Sequence, residues 1–312
     1  MSRVLLIGEP MALLIADTVG PLAEVESFTR KLAGAEVNVC IGLTRLGHEA
    51  TYVTRLGRDP FGDYTKTTLE KEGISTEFVT FDDEYKTGMM LKGKVASGDP
   101  HVAYYRKGSA ASKMTPEQMD AVDLSGFDLV HMTGILPALS PECRLATKRL
   151  MERAKAAGIT VSFDPNLRPT LWESKEIMAE TLNDLARLAD LVLPGIEEGL
   201  TLMGSDDPAA IADFYQELGA KQVVVKVGPD GAYARDGDIS TMIPGFKVDT
   251  VVDTVGAGDG FATGVISGII EGLSLNDAVL RGNAIGSIQV QHVSDNECLP
   301  TRAGLEKYMN QQ

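Results

Sequence analysis

DLVHM at residues 128–132 and ITVSFD at residues 159–164 flank PECRLATKRLMERAKAA at residues 141–157. The two short runs have the β-rich composition of strands. The segment between them repeats apolar side chains at helical spacing, leaves its charged side chains for solvent, and is followed by Gly158, a common helix terminator. A strand, a helix and a second strand in this order predict a βαβ unit with parallel strands.

The same alternation continues toward the C-terminus. Leu191–Leu193 and Gln222–Val227 have the composition of further strands, and Lys175–Leu188 and Pro208–Leu218 have the periodicity of amphipathic helices. This alternation predicts an α/β protein whose open, doubly wound and mostly parallel sheet is flanked by helices.

Two regions depart from this alternation, residues 10–33 and residues 76–107. Their apolar residues lie among turn-forming residues without a helical period, which indicates strands of a small, separate sheet. A sheet built from two non-contiguous pieces is most simply a lid over a binding site, so we expect one domain over residues 1–312 with this discontinuous lid inserted in it. An exposed apolar face on the lid would favour a homodimer or higher homo-oligomer.

The composition is that of an acidic globular protein. The 312 residues are 44% hydrophobic and 23% charged, and 29 Lys and Arg against 44 Asp and Glu give a net charge of -15. So acidic a chain offers no extended basic surface, which argues against nucleic-acid binding. We also expect no membrane span, because no stretch approaches the roughly 20 apolar residues that one requires. The apolar segment Val4–Ala16 is interrupted by Glu9 and Pro10, and this favours two strands joined by a turn over a signal peptide.

The cysteines give no sign of a cross-linked or metal-bound framework. Cys40, Cys143 and Cys298 are odd in number, far apart and without a C-x-x-C pair. This usage favours a reducing, cytoplasmic location.

The strongest chemical signal is DTVGAGDGFATGVI at residues 253–266. The small residues Gly256, Ala257 and Gly258 allow a tight turn into a helix whose first amides form an anion-binding hole at the positive end of the helix dipole. Asp259 would lie in the first turn, placed to take a proton from a hydroxyl beside a bound phosphate. The alternative is an acidic residue that only stabilises the start of the helix.

This stretch resembles the second signature of the ribokinase-like, or PfkB, carbohydrate kinases. The first signature of that family is recognisable in GAEVNVC at residues 34–40 and in LGRDPFG at residues 56–62. The resemblance extends from the first strand to the last helix. It implies a ribokinase-like fold and transfer of the γ-phosphate of ATP, accompanied by Mg²⁺, to a sugar hydroxyl. Thr263 is larger than the residue usual at its position.

Three further stretches resemble the 2-keto-3-deoxygluconate kinase branch of the family: YYRKGSAAS at 104–112, GILPALS at 134–140 and FDPNLRPTLW at 163–172. Arg106 and Arg168 supply planar cationic forks suited to the carboxylate of an acidic sugar. The alternative is that each arginine pairs with a local carboxylate. Met90 occupies a position where that branch often has a substrate-binding tyrosine.

Three functions are therefore compatible with the sequence. The first is a kinase that phosphorylates the terminal hydroxyl of 2-keto-3-deoxygluconate. The second is a kinase for a neutral sugar such as fructose or ribose, or for a nucleoside. The third is a sugar-binding regulator that has kept the fold without turnover.

The resemblance implies a sugar site and an ATP site that meet at Asp259. The residues expected to bind the sugar are Gly34, Asn38, Tyr104, Arg106, Ile135 and Arg168. The residues expected to bind ATP are Asn166, Lys226, Gly228, Gly231, Ala257, Gly258 and Asn283. The segment KVGPDG at 226–231 combines a strand end, a cation and two glycines, which suits a phosphate-contacting turn, with a plain hairpin as the alternative.

Two cation sites are also implied. Glu198 matches the acidic end of an N-x-x-E element associated with Mg²⁺, but Gly195 replaces the Asn, so either water mediates the contact or the element is degraded. Asp253 matches a ligand of a monovalent cation such as K⁺, with Ser294 and Cys298 near the corresponding positions.

Overall fold

The computed structural model describes residues 2–95, 100–292 and 296–311. Residues 96–99 of the predicted lid, and Ser294 near the predicted monovalent-cation site, lie outside the described residues. The strands are β1 (Arg3–Ile7), β2 (Met11–Ala16), β3 (Phe28–Ala33), β4 (Glu49–Gly57), β5 (Ser75–Asp82), β6 (Met89–Lys92), β7 (Val102–Tyr105), β8 (Leu129–Thr133), β9 (Thr160–Asp164), β10 (Leu191–Val192), β11 (Gln222–Lys226), β12 (Gly231–Asp236) and β13 (Ile239–Pro244). The helices are α1 (Ala35–Arg45), α2 (Pro60–Lys71), α3 (Pro116–Asp120), α4 (Leu136–Leu139), α5 (Pro141–Ala156), α6 (Lys175–Ala186), α7 (Ile196–Met203), α8 (Pro208–Leu218), α9 (Ala257–Ile270), α10 (Leu275–Gln289) and α11 (Arg302–Met309).

Nine strands in the described part of the chain form one large sheet, in the order β13-β12-β11-β10-β9-β8-β1-β4-β5. Neighbouring strands are parallel, except that β12 runs antiparallel to both β11 and β13. The predicted doubly wound and mostly parallel sheet is confirmed, and its four predicted strands are β8 to β11.

The strand order places the candidate site. After β1 the chain adds β4 and β5 on one side of the sheet, and it then returns to add β8, β9, β10 and β11 on the other side. Ligands of open α/β sheets bind beyond the carboxyl ends of the strands at such a reversal. Ile135 follows β8, Asn166 follows β9 and Lys226 ends β11, so the topology brings residues from three predicted stretches to one edge.

Helices cover both faces of the large sheet and divide the core into two layers. In β1, Leu5 and Ile7 pack into the layer beneath α5, α6 and α8, while Val4 and Leu6 pack into the layer beneath α1, α9 and α10. All four side chains are 0% exposed. Burial on both faces explains why this strand is a continuous apolar run rather than an alternating one. Among the described residues, no helix combines the length and apolar character of a membrane span.

A second sheet of four strands, in the order β3-β2-β6-β7, lies apart from the large one within the described residues. The predicted small sheet is thus present, but one part of its predicted extent is wrong. Residues 75–82 form β5, which pairs in parallel with β4 at the edge of the large sheet. The reason is local: β4, α2 and β5 make a βαβ unit, and the composition of a strand does not itself specify which sheet the strand joins.

Candidate active site

Helix α9 begins at the predicted anion hole. Its N-cap residue, Gly256, has a φ of 77°, a left-handed conformation that favours glycine. No side chain caps the helix, and within the described residues the amides of Gly258 and Asp259 have no acceptor in the protein. The Ala257 amide, a predicted donor of the hole, makes a long hydrogen bond of 3.3 Å to the Thr254 carbonyl. The helix therefore offers unsatisfied amides and the positive end of its dipole to an anion.

Two cavities meet at this helix start. Their volumes are about 710 Å³ and about 500 Å³, and Lys226, Thr254 and Gly258 border both of them. The larger cavity is lined mostly by apolar side chains and glycines, whereas the smaller one is lined by many charged and polar side chains and includes Asp259. The arrangement has the form of the predicted ATP and sugar sites, with the anion hole between them.

Asp259 is the carboxylate of the smaller cavity that lies beside the anion hole. Its Oδ2 accepts a hydrogen bond from Asn38 Nδ2 at 2.7 Å. Burial raises the pKa of Asp259 to about 6, although the Asn38 hydrogen bond and the charges of Arg168 and Lys226 lower it. A carboxyl with this pKa is ionised at neutral pH and still basic enough to accept a proton from a reacting hydroxyl. The geometry favours a general base over a residue that only stabilises the helix.

Asn38 is held in turn by an asparagine that the sequence did not reveal. Asn296 Nδ2 donates to Asn38 Oδ1 and to the Leu32 carbonyl, both at 2.9 Å. Asn38 was expected to bind a sugar hydroxyl, and it does border the smaller cavity. Through Nδ2 it orients the Asp259 carboxylate, and this amide nitrogen carries a second hydrogen that can donate to a ligand. Asn296 lies in a loop after α10 without a recognisable motif.

The structure corrects the argument made for Arg106. Its Nε donates to Glu9 Oε2 at 2.6 Å, and Ser109 Oγ donates to the other Glu9 oxygen. The Arg106 and Glu9 side chains are only 7% and 0% exposed, so the charge of this arginine is compensated inside the protein. Arg106 borders the smaller cavity as expected, but it is not a free cation for a carboxylate. In the sequence, Glu9 is recognisable as the charged residue that interrupts the apolar segment Val4–Ala16.

Arg168 borders the smaller cavity as expected. It lies in an exposed loop after β9, and its Nη1 donates to the Leu167 carbonyl at 2.8 Å. Across residues 2–95, 100–292 and 296–311, no carboxylate forms an ion pair with it. Its charge lowers the pKa of Asp259, and both side chains border the smaller cavity. The remaining donors of the guanidinium suit a bidentate contact with a ligand carboxylate.

The other predicted sugar-site residues also border the smaller cavity: Gly34, Tyr104 and Ile135. Gly34 starts α1 with a φ of 144°, and a Cβ there would lie 3.0 Å from the Glu9 carbonyl oxygen. Tyr104 of β7 pairs with Met90 of β6, so the small sheet forms one wall of the cavity. Met90 gives that wall an apolar side chain where a tyrosine would offer a hydroxyl.

Lys226 lies between the cavities beside two carboxylates. Its Nζ donates to Asp164 Oδ2 at 2.7 Å and lies 3.9 Å from Glu198 Oε2. Burial lowers the pKa of Lys226, but Asp164 and Glu198 raise it by more, so the ammonium is charged at neutral pH. The predicted contact with ATP phosphates agrees with its place at the boundary of the two cavities.

Glu198, the predicted indirect Mg²⁺ ligand, already accepts hydrogen bonds from the backbone. Its Oε1 accepts from the Leu167 amide at 2.9 Å and its Oε2 from the Gly195 amide at 2.7 Å. Asp164 Oδ1 likewise accepts from the Asn166 amide at 3.0 Å. In the part of the chain that the structure describes, no cluster of three or more His, Cys, Asp or Glu side chains could hold a metal ion. Asp164 and Glu198 would therefore hold Mg²⁺ through water, since their oxygens already accept hydrogen bonds from backbone amides.

The predicted ATP residues divide between the two cavities. Gly228 and Gly231 border the larger one with positive φ values of 59° and 106°, and a Cβ at Gly231 would lie 2.1 Å from the Ile243 carbonyl oxygen. Only glycine therefore allows this turn between β11 and β12. Asn283 borders the same cavity and donates to two carbonyls at the end of β13. Asn166, with a φ of 40°, borders the smaller cavity instead.

Asp253, the predicted ligand of a monovalent cation, is paired with a lysine of the small sheet. Lys92 Nζ, at the end of β6, lies 3.0 Å from Asp253 Oδ2, and Asp253 Oδ1 accepts a hydrogen bond from the Val255 amide at 3.0 Å. No sequence motif pointed to Lys92.

Together these features describe a ribokinase-like α/β fold with two adjoining cavities, an anion-binding helix start and a buried carboxylate at their junction. The chain belongs to the pfkB family of carbohydrate kinases, whose family model matches residues 1–302. The fold and the family that the two signatures indicated are confirmed.

Individual relatives agree with this membership. The chain is 48% identical over 306 residues to 2-dehydro-3-deoxygluconokinase of Bacillus subtilis (strain 168). The match covers 98% of this chain and 94% of that protein. A PfkB protein from Polaromonas sp. JS666 matches with a TM-score of 0.90 at 47% identity, covering 98% of this chain and 99% of that one. A putative ribokinase II from E. coli in complex with ATP and Mg²⁺ matches with a TM-score of 0.89 at 25% identity, covering 100% of both chains.

Proposed function

We propose that the protein is an ATP-dependent kinase that phosphorylates the terminal hydroxyl of 2-keto-3-deoxygluconate, which is also called 2-dehydro-3-deoxygluconate. The observation that carries the proposal is the position of Asp259, a carboxylate with a pKa of about 6 beside the unsatisfied amides of α9, where the two cavities meet. The exposed guanidinium of Arg168 and the 48% identity to the Bacillus subtilis 2-dehydro-3-deoxygluconokinase support an acidic sugar.

The chemistry follows from this arrangement. ATP in the larger cavity directs its γ-phosphate to the start of α9, and the sugar in the smaller cavity directs a hydroxyl to Asp259. Asp259 takes the hydroxyl proton as the oxygen attacks the γ-phosphorus in line, and the bond to the bridging oxygen breaks to release ADP. The Gly258 and Asp259 amides donate to the oxygens of the transferring group, and Lys226 adds positive charge beside them.

Mg²⁺ accompanies ATP and offsets the charge of the triphosphate. Glu198 and Asp164 would hold it through water, because their oxygens already accept from backbone amides. We further propose that the small sheet acts as a lid whose closure over the smaller cavity excludes water and suppresses ATP hydrolysis. Dimerisation through this sheet stays a prediction.

The test is ADP release by the purified protein with ATP and Mg²⁺, comparing 2-keto-3-deoxygluconate with gluconate, fructose and ribose. We expect turnover on the keto acid, and we expect Asp259→Asn to lower kcat by about 10²–10⁴-fold while it still binds ATP. Phosphate found on the terminal hydroxyl of the product would establish the acceptor atom. An Asp259→Asn variant as active as the natural protein would remove Asp259 from the base role.

A neutral sugar is the second candidate substrate class. It is favoured by the Glu9 carboxylate, which compensates the charge of Arg106. Turnover on fructose or ribose but not on the keto acid would support this candidate and contradict the role of Arg168.

A further inference from the structure

The small sheet contacts both sides of the proposed reaction centre through one strand. Met90, in the middle of β6, borders the smaller cavity, and Lys92, at the end of the same strand, reaches Asp253 on the loop before α9. The ion pair joins two parts of the chain that are 161 residues apart in sequence. Its side chains are only 6% and 14% exposed, so the contact is largely shielded from solvent.

Asp253 in turn fixes the turn that leads into the anion hole. Its Oδ1 accepts from the Val255 amide at 3.0 Å, and the Val252 amide just before it donates to the Val290 carbonyl at 2.7 Å. Thr254, next in the chain, borders both cavities. The Asp253 carboxylate thus fixes the turn that leads to Gly256, and it places a negative charge on the loop that precedes the anion hole.

We propose that Lys92 is a positioning residue for phosphoryl transfer, whose ammonium neutralises and orients Asp253 and so takes the place of the monovalent cation predicted at this position. Because Lys92 belongs to the small sheet, its ammonium reaches Asp253 only while the small sheet packs against the loop before α9. Closure over the sugar and completion of the anion hole are therefore coupled. The inference rests on the proposed kinase function.

The test uses the full-length protein and three substitutions. Lys92→Met keeps the length of the side chain and removes its charge, Lys92→Arg keeps the charge, and Lys94→Met makes the same change two residues away, where the lysine donates to the Asp17 carbonyl. We expect Lys92→Met to lower kcat by about 10- to 100-fold, the size of one lost charge-assisted hydrogen bond. Lys92→Arg should retain most of the activity, and Lys94→Met should retain all of it.

Chemical rescue separates a charge role from a packing role. Added ammonium, methylammonium or K⁺ should restore part of the activity of Lys92→Met, whereas the natural protein should turn over equally in K⁺, Na⁺ and choline buffers. In Lys92→Met combined with Asp253→Asn the cation response should disappear, because the Asp253 carboxylate that the cation neutralises has been removed. Full activity of Lys92→Met, a strict K⁺ requirement of the natural protein, or a loss that neither Lys92→Arg nor any cation repairs would overturn the proposal.

A second readout does not depend on the sugar. A non-hydrolysable ATP analogue should raise the Tm of the natural protein more than that of Lys92→Met. Added ammonium ions should increase the Tm shift of Lys92→Met toward that of the natural protein. If the natural protein turns over none of the sugars, the proposed function fails while this readout still decides the role of Lys92. Equal Tm shifts in the two proteins would contradict it.

Discussion

The hydrogen bond from Asn38 to Asp259 should set the pH below which the enzyme loses activity. Burial raises the pKa of Asp259 to about 6, and the Asn38 contact of 2.7 Å is the largest influence that lowers it. The base works only when ionised. Activity is therefore present above this pKa and is lost as the pH falls through about 6.

Asn38→Leu removes the donor while it keeps the size of this buried side chain. A hydrogen bond to a charged group contributes about 1.5–3 kcal/mol, and one pKa unit corresponds to about 1.4 kcal/mol. The acidic inflection of the pH profile should therefore move up by about one to two pH units. A loss of sugar binding would lower kcat/KM at the high-pH plateau. It would not move the pH at which the profile inflects.

The assay is kcat/KM for the sugar at saturating Mg-ATP between pH 5 and 9, measured by direct quantification of ADP. Asn296→Leu is the matched control, because it removes the partner of Asn38 Oδ1 and leaves the contact with Asp259 in place. Its inflection should move much less. An Asn38→Leu protein that is folded and has an unchanged inflection would refute this account of the base.

Three further predictions concern ligand recognition and stability. Arg168→Met should raise the KM for the keto acid by about 10- to 100-fold and leave the KM for ATP unchanged in steady-state assays; an unchanged sugar KM would exclude a carboxylate contact. Arg106→Met leaves the Glu9 carboxylate buried without its partner and should lower the free energy of unfolding in urea by about 3–5 kcal/mol. The double variant Arg106→Met/Glu9→Gln should recover much of this loss. Equal stability of the single and double variants would contradict this account. Gly42→Ala would place a Cβ 2.5 Å from Thr263 Cγ2. It should destabilise the protein by about 1–3 kcal/mol, with a lower Tm that Thr263→Ala restores; no such rescue would show that the crowding arises elsewhere.

Local sequence was sufficient to predict four strands of the large sheet and the tight turn into α9. The strands around α5 follow from apolar runs, and the start of α9 follows from small residues that allow the φ of 77° at Gly256. These features depend on backbone conformation and hydrogen bonds within a few residues. The glycines at 228 and 231 were informative for the same reason, since the turn between β11 and β12 accepts no side chain at Gly231.

Partners distant in sequence were decided only by the tertiary structure. Arg106 meets Glu9 from 97 residues away, and Asn38 meets Asn296 from 258 residues away. The sequence identified Arg106 as a cation, but whether that cation is available to a ligand depends on which carboxylate the fold packs against it. The placement of β5 had the same cause, because the composition of this strand suits either sheet until α2 positions it beside β4. Residue types and local backbone geometry thus determined which chemical groups this protein has. Long-range packing determined which of these groups face a ligand, because the partner of a charge or a hydrogen-bonding group depends on which residues the fold places beside it.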